Sequence, residues 1–248
     1  MKRKVLWGVL FVLVLLTSAV VHLPASLAVR YMPPVPGLAL GEVSGTVWKG
    51  TAAQLRFQGK ALGGLKWRFN PLALLAGKAD VEMRLSGNPG VSARGNVGYG
   101  FAGLYANNLL VSASAGFVQS FIPMAMPVSL SGQFDLTVRD YQMKTPLCDA
   151  LAGNLAWTQG NVSTPLGNIE PGVAMATLAC DSGKVVVSGD SESQAVETAF
   201  NLTLTPEQRY SVSGWFVPGA TFPEGMRSQL GWLGQPDDQG RYRFSFNG

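Results

Sequence analysis

The two cysteines are the most informative of the few side chains here that could do chemistry. The 248 residues include one histidine and two cysteines, Cys148 and Cys180. So few thiols and imidazoles disfavour zinc sites, Cys/His proteases and most histidine-based acid and base catalysis. In an oxidising compartment the two cysteines are expected to form a disulfide, with two buried free thiols as the alternative. Such a bridge would stabilise the fold by about 3–4 kcal/mol on the chain-entropy model.

Other motifs for catalysis or cofactor binding stand in the wrong context. Gly98-x-Gly100-x-x-Gly103 has the spacing of a dinucleotide-binding loop, but no helix is predicted after it and no acid follows until Asp135. The one histidine, His22, borders an apolar run, so no Ser-His-Asp triad is expected. Asp237 and Asp238 are typical of a turn. We predict no catalytic, cofactor or metal site, and a protein that is not an enzyme.

The amino terminus combines a basic cluster with an apolar run. Lys2, Arg3 and Lys4 precede residues 5–23, which carry no formal charge. As a helix this run reaches roughly 28 Å, close to the thickness of about 30 Å of a hydrocarbon core. The sequence therefore predicts a transmembrane helix over 5–23, a cytoplasmic start at 1–4 and an exported remainder. The alternative is a signal peptide cleaved after residues 26–28.

The net charge of +4 mainly reflects this amino-terminal cluster. Without those three cations, 16 of the 19 Lys and Arg remain against 15 Asp and Glu. A nearly neutral remainder does not indicate a nucleic-acid partner. The basic residues at the start are interpreted as a topology signal.

From residue 42 onward the sequence alternates apolar and polar residues as strands do. The alternation is clearest over 128–139 and recurs over 80–86, 200–205 and 241–246. One apolar face per strand predicts antiparallel pairing. Repeated Ser-Gly pairs predict bends in a strongly curved sheet. Short helices are predicted at 70–77 and 145–153, and more weakly at 115–122 and 223–233.

The predicted fold is mainly β, with a few short helices and an antiparallel, strongly curved sheet built from two related halves. A Pro-rich connector over 24–41 joins the membrane helix to a periplasmic β domain at 42–248. Similar spacing between Ser-Gly and Gly-x-x-Trp segments suggests halves at 42–115 and 127–217, followed by a closing segment at 218–248.

The order of these features resembles type II secretion system protein N, the general secretion pathway protein N of Gram-negative bacteria. The resemblance covers essentially the whole chain. It is carried by the start and apolar run at 2–23, GEVSGTVWKG at 41–50, LKW at 65–67 with NPL at 70–72, GNLAW at 153–157, and LGQPDDQGRY at 233–242.

The resemblance implies a single-pass inner-membrane protein with a periplasmic domain, accessory to the machinery that moves folded proteins through the outer-membrane secretin. It implies inner-membrane platform subunits or secretin-linked components as partners, and neither catalytic residues nor a cofactor. The alternative is a lipid-handling protein, because the one-sided strands also resemble AsmA-type periplasmic proteins. Closure of the sheet distinguishes the two: a sandwich favours protein partners, and an open apolar groove favours lipid.

Overall fold

The computed structural model describes residues 2–31, 35–122, 127–207 and 209–248, and most of them lie in strands. Four helices are described: α1 (Lys2–Val21), α2 (Ala25–Tyr31), α3 (Ala115–Gln119) and α4 (Glu224–Arg227). Short 3₁₀ helices cover Pro71–Ala76 and Leu230–Leu233. The described residues form thirteen strands: β1 (Leu38–Gly45), β2 (Lys49–Phe57), β3 (Lys60–Asn70), β4 (Ala79–Asn88), β5 (Val91–Gly100), β6 (Gly103–Ser114), β7 (Ser129–Gln142), β8 (Ala150–Thr164), β9 (Gly167–Asp181), β10 (Lys184–Glu192), β11 (Val196–Leu204), β12 (Tyr210–Pro218) and β13 (Tyr242–Asn247).

All thirteen strands belong to one antiparallel sheet in which each strand pairs with the next along the chain, in the order β1 to β13. The prediction of a mainly β, antiparallel fold is confirmed. β6 pairs with β7 across the predicted boundary at 115–127, so residues of both predicted halves share one sheet. Among the described residues, β1 and β13 do not pair with each other, which leaves the sheet open.

The prediction of a strongly curved sheet is wrong, since the sheet is not strongly curled. The prediction rested on five Ser-Gly pairs, and the glycines of these pairs have two different structural roles. Three of the glycines have a positive φ at a strand end or bulge: Gly45, Gly87 and Gly132. The other two make room for aromatic rings, because a β-carbon on Gly189 would lie 2.7 Å from the ring of Phe200, and one on Gly214 would lie 2.7 Å from that of Phe244.

The amino-terminal helix differs in its bounds from the predicted membrane span. Helix α1 covers most of the apolar run, but its first turn is the basic cluster and it ends at Val21. Its uncharged part therefore reaches about 26 Å as a helix. None of the helices in the described ranges has both the length and the apolarity needed to cross a membrane. The large apolar side chains described in α1 are all more than half exposed.

Within the predicted connector at 24–41, residues 25–31 form α2 and β1 begins at Leu38. Residues 32–34, with Pro33 and Pro34, lie outside the described residues. The end of α1 is fixed to the sheet, because Trp48 Nε1 donates to the carbonyl of Val20 at 2.8 Å. The Val47 amide also donates to the carbonyl of Leu23 at 3.1 Å. The helix thus leaves the sheet beside the turn between β1 and β2.

Most of the predicted short helices are present. Asn70 caps the 3₁₀ helix that starts at Pro71, its side chain accepting from the Leu72 amide, and Gly77 ends it with a φ of 69°. The predicted helices at 115–122 and 223–233 correspond to α3 and to α4 with the second 3₁₀ helix. The predicted helix at 145–153 is wrong, because residues from Ala150 onward pair as strand β8 with β7 on one side and β9 on the other.

The apolar side chains lie on one face of the sheet, which we call the apolar face. In-register partners carry it from strand to strand: Leu65 faces Leu85, which faces Ala93. The same face continues through β7 and β8 with Phe134, whose ring stacks 5.3 Å from that of Trp157. Large side chains there are mostly half-buried, and the buried hydrophobic set is rich in alanine and valine. A single open layer thus replaces a closed core.

Candidate functional site

The opposite face of β3, β4 and β5 carries a row of three cations, which we call the basic row. Lys66 on β3 pairs in register with Arg84 on β4, and Arg84 pairs in register with Arg94 on β5. All three residues are exposed. Like charges directly opposite each other destabilise a sheet. Within the described part of the chain, no carboxylate lies within ion-pair distance of any of the three.

The basic row has further cations on its β2 side, whereas Asp135 lines a depression together with Arg84 and Arg94 on its other side. A second cross-strand row next to it pairs Lys49 with Arg68 and Arg68 with Glu82. Glu82 is therefore the one acid in these two rows of six charged residues. Residues of both rows line a shallow depression with Gly50, Thr51 and the edge of Trp67. Such a surface attracts anionic groups.

The apolar face opposite the basic row contains a small groove of about 210 Å³. Its lining comes from five neighbouring strands and is mostly aliphatic, with Leu55, Leu65, Met83, Leu85, Ala93, Val97 and Leu109 joined by Gly95 and by Arg94 of the basic row. Apart from minor contacts, each strand of the described residues contacts only its neighbours in the sheet. The exceptions are that β3 also contacts β5 and that β9 also contacts β11. The two predicted halves do not pack face to face, so this groove stays open.

A polar cluster lies at the strand ends between the two rows and the β5–β6 turn. Asp80 accepts hydrogen bonds from the Tyr105 hydroxyl at 3.2 Å and from Asn96 Nδ2 at 3.1 Å. Burial of Tyr105, together with the charge of Asp80 and the hydrogen bond to it, raises the pKa of the phenol. Lys78 lies 5.7 Å above the Tyr105 ring. The phenol thus remains a donor that fixes Asp80.

The acids singled out in the sequence have structural positions. The Asp237 carboxylate accepts from the backbone amides of Gln239 and Arg241 at 3.0 Å each, and Arg243 donates to it at 2.9 Å. These contacts, led by the Arg241 amide, lower the pKa of Asp237. Asp237 thus holds the turn that leads into β13. Asp135 accepts a hydrogen bond from Ser112 on the neighbouring strand.

Cys148 and Cys180 are bonded in the structure, with 6.2 Å between their Cα atoms. Cys148 is buried in the loop before β8, and Cys180 is near the end of β9. The bridge therefore links the β7–β8 loop to β9, the strand that pairs with β8 on the side away from β7. Its sequence separation is 32 residues.

The remaining sequence motifs lie in a hairpin turn and near the two ends of α1. The glycine motif at 98–103 forms the β5–β6 hairpin, closed by the pair Gly100 and Gly103. His22 Nδ1 donates to the Ser18 carbonyl at 2.9 Å. Lys2, Arg3 and Lys4 form the first turn of α1. In the described ranges, no three His, Cys, Asp or Glu side chains are grouped closely enough to hold a metal ion.

The basic row is the feature that sequence reasoning missed. Its three members are separated by 18 and 10 residues, and only the strand register brings them together. The signal in the sequence was the placement of a cation at one outward position of each of three consecutive strands. A broad open sheet with an apolar face and a row of cations on part of the opposite face offers wide exposed surfaces to other molecules.

Comparison with known proteins identifies the class to which this chain belongs. A family model described as type II secretion system protein N matches residues 36–245. Type II secretion system protein N of Vibrio cholerae serotype O1 is 39% identical over an alignment that covers all of this chain and 99% of that protein. Its counterpart of the same name in Aeromonas hydrophila is 34% identical with the same coverage, and that of Pectobacterium carotovorum is 24% identical over 98% of its length. No solved structure matches the chain.

The chain belongs to the type II secretion system protein N family. It is therefore a component of the type II secretion system and acts in protein transport. The resemblance noted in the sequence is confirmed.

Proposed function

We propose that this chain is a non-enzymatic scaffold of the type II secretion system that is held at the inner membrane by α1 and displays its sheet in the periplasm. The observation that carries the proposal is the basic row on an open sheet. Three unpaired cations facing each other reduce the stability of the isolated sheet. Their presence on an exposed surface is explained if an acidic surface of another secretion component covers them.

The proposed partner is thus a platform subunit or a secretin-linked component with an acidic docking segment. Lys66, Arg84 and Arg94 would each contact a carboxylate, and Arg guanidinium groups suit carboxylates because they can form two parallel hydrogen bonds. Electrostatic complementarity of this kind sets the register of a complex and speeds its formation. Glu82 beside the row favours a segment with alternating rather than continuous negative charge.

The proposal includes attachment of the intact amino-terminal helix to the membrane. Support comes from the exposed apolar side chains of α1, which water does not favour. Support for a retained rather than cleaved helix comes from the contacts of Val20 and Leu23 with Trp48 and Val47. Cleavage after residue 28 would remove both of these contacts. Mass spectrometry of the mature protein tests this point, and a terminus at Val29 would contradict it.

The docking proposal is tested by complementation of a strain lacking this protein. The variant Lys66→Glu with Arg94→Glu should lower secretion and leave exoprotein in the periplasm, although the sheet stays folded. The matched control is Lys184→Glu, which reverses an exposed cation at the start of β10, away from the basic row. Equal secretion by the double variant and the wild type would refute the docking surface.

The alternative function is lipid handling, and the open aliphatic groove on the apolar face favours it. An acyl chain would lie against Leu65, Met83 and Leu85, where burial of each methylene contributes about 0.8 kcal/mol. Native mass spectrometry of protein extracted in mild detergent separates the two functions. Co-purifying phospholipid in stoichiometric amount would favour lipid handling, and its absence would favour the scaffold.

A further inference from the structure

One end of the sheet carries large apolar side chains in places where turns are usually polar. We call the group formed by Leu72, Leu74 and Leu75 of the first 3₁₀ helix, with Tyr99 and Phe101 at the β5–β6 hairpin, the apolar rim. Its most exposed members are Phe101 at 95%, Leu75 at 88% and Leu72 at 73%. Water does not favour a patch of this kind on a protein surface. Some partner is therefore expected to cover it.

The two parts of the apolar rim are joined by packing. The ring of Phe101 lies against Gly77, where a β-carbon would approach it to 2.0 Å. Gly77 also has a φ of 69°, which a residue with a side chain rarely adopts. The 3₁₀ helix and the hairpin turn therefore present one continuous surface.

The strand register places the apolar rim at the same end of the sheet as helix α1. Lys49, the first residue of β2, faces Arg68, so β3 ends beside the turn to which α1 is fixed. Ala79 at the start of β4 faces Tyr99, which brings the β5–β6 turn to the same end. At about 4.8 Å per strand, the rim lies within about 20 Å of the end of α1.

The next connection at this end, the β7–β8 loop, exposes Met143 beside the Lys144–Asp149 ion pair, and the turns beyond it are polar. The β9–β10 turn is Ser182 and Gly183 between Asp181 and Lys184, and the β11–β12 turn contains Glu207 and Arg209. Apolar exposure at this end is thus concentrated in the strands near the helix. This decrease of apolar exposure with distance from α1 fits a flat hydrophobic partner into which α1 also inserts.

We propose that the apolar rim inserts into the outer surface of the bilayer to which α1 is attached, so that the sheet stands on the membrane through two contacts. This proposal rests on the membrane attachment proposed above. Aromatic and aliphatic side chains at a bilayer surface are the pattern of interfacial membrane binding. Lys78, next to the rim, is placed to meet anionic headgroups. The contact would set the height and tilt of both sheet faces.

Three variants of the full chain, each with one added cysteine, test the proposal, since Cys148 and Cys180 are bonded to each other. A fluorophore is attached to Gly8→Cys in α1, to Phe101→Cys in the rim, or to Leu166→Cys. Leu166 is a half-exposed leucine in the β8–β9 turn at the opposite end of the sheet and serves as the matched control. The protein is reconstituted into phosphatidylethanolamine and phosphatidylglycerol vesicles with and without brominated acyl chains.

Brominated lipid should quench the probes at residues 8 and 101 and leave the probe at 166 unchanged. Quenching at residue 8 without quenching at 101 would overturn the rim contact and leave the attachment by α1 intact. Absence of quenching at residue 8 would instead overturn the attachment itself. Leu75→Cys repeats the rim measurement on the other turn, so a local effect of losing the Phe101 ring cannot mimic either result.

Discussion

Replacing Arg84, the central cation of the basic row, should stabilise the folded protein. Arg84 faces Lys66 on one side and Arg94 on the other. At a strand spacing of about 4.8 Å, each facing pair repels by about 0.9 kcal/mol in water, and physiological salt reduces this to about 0.5 kcal/mol. The attraction between Arg84 and Glu82, two residues away along β4, offsets this repulsion by about 0.3 kcal/mol. The long side chains can splay apart, so these are upper values.

A charge series at this position therefore has a defined order. Arg84→Lys should leave the free energy of unfolding unchanged, Arg84→Gln should raise it by about 0.7 kcal/mol, and Arg84→Glu by about 1.4 kcal/mol. For a chain of this size the last change corresponds to a rise in melting temperature of about 3–6 °C. Thermal unfolding in 0.15 M and 1 M NaCl measures both the order and its decrease with salt.

Two results would refute this reasoning. Destabilisation by both Gln and Glu would mean that Arg84 has a structural role in the isolated sheet. An unchanged difference between Arg and Glu in 1 M NaCl would mean that the effect does not arise from exposed charges. The same variants should lose secretion activity in the order in which they gain stability, because the proposed partner requires the cation.

Three further perturbations have expected outcomes. Replacing Cys148 and Cys180 with serine should lower the free energy of unfolding by about 3–4 kcal/mol, and thiol titration of the denatured wild type should find no free thiol without reductant. Asp237→Asn should destabilise the protein at neutral pH. Because folding lowers the pKa of Asp237, the difference in stability between the variant and the wild type should disappear as the pH falls below about 4 and through the folded-state pKa. Melting curves from pH 7 to about pH 2.5 measure this difference. Trp48→Phe removes the donor to Val20 and should cost about 0.5–1.5 kcal/mol, seen as faster amide exchange at the junction of α1 and the sheet.

The strands were predictable because their signal is local. Alternation over 128–139 predicts a strand where β7 (Ser129–Gln142) lies, and Asn70, Pro71 and Gly77 mark the ends of the 3₁₀ helix. These patterns depend on residues within a few positions of each other. The class of fold follows from them directly.

The shape of the sheet and its surfaces depend on information that a local pattern does not contain. A Ser-Gly pair can mark a bulge, as at Gly132, or make room for a ring from the next strand, as at Gly189, and the same two letters serve both. The basic row requires the register of three strands. Phe101 belonged to a glycine-rich turn whose position relative to α1 was fixed only by the pairing of β4 with β5.

Photo-crosslinking from adjacent positions on β5 tests the central claim most directly. Ser92 lies on the charged face two residues from Arg94, and Ala93 lies on the apolar face. A photoreactive amino acid at each position in cells that secrete should give a crosslink from residue 92 to another type II secretion component. Reversing the charge of Arg84 should abolish that crosslink. Crosslinks from both positions to lipid alone, with no secretion component at residue 92, would contradict the account.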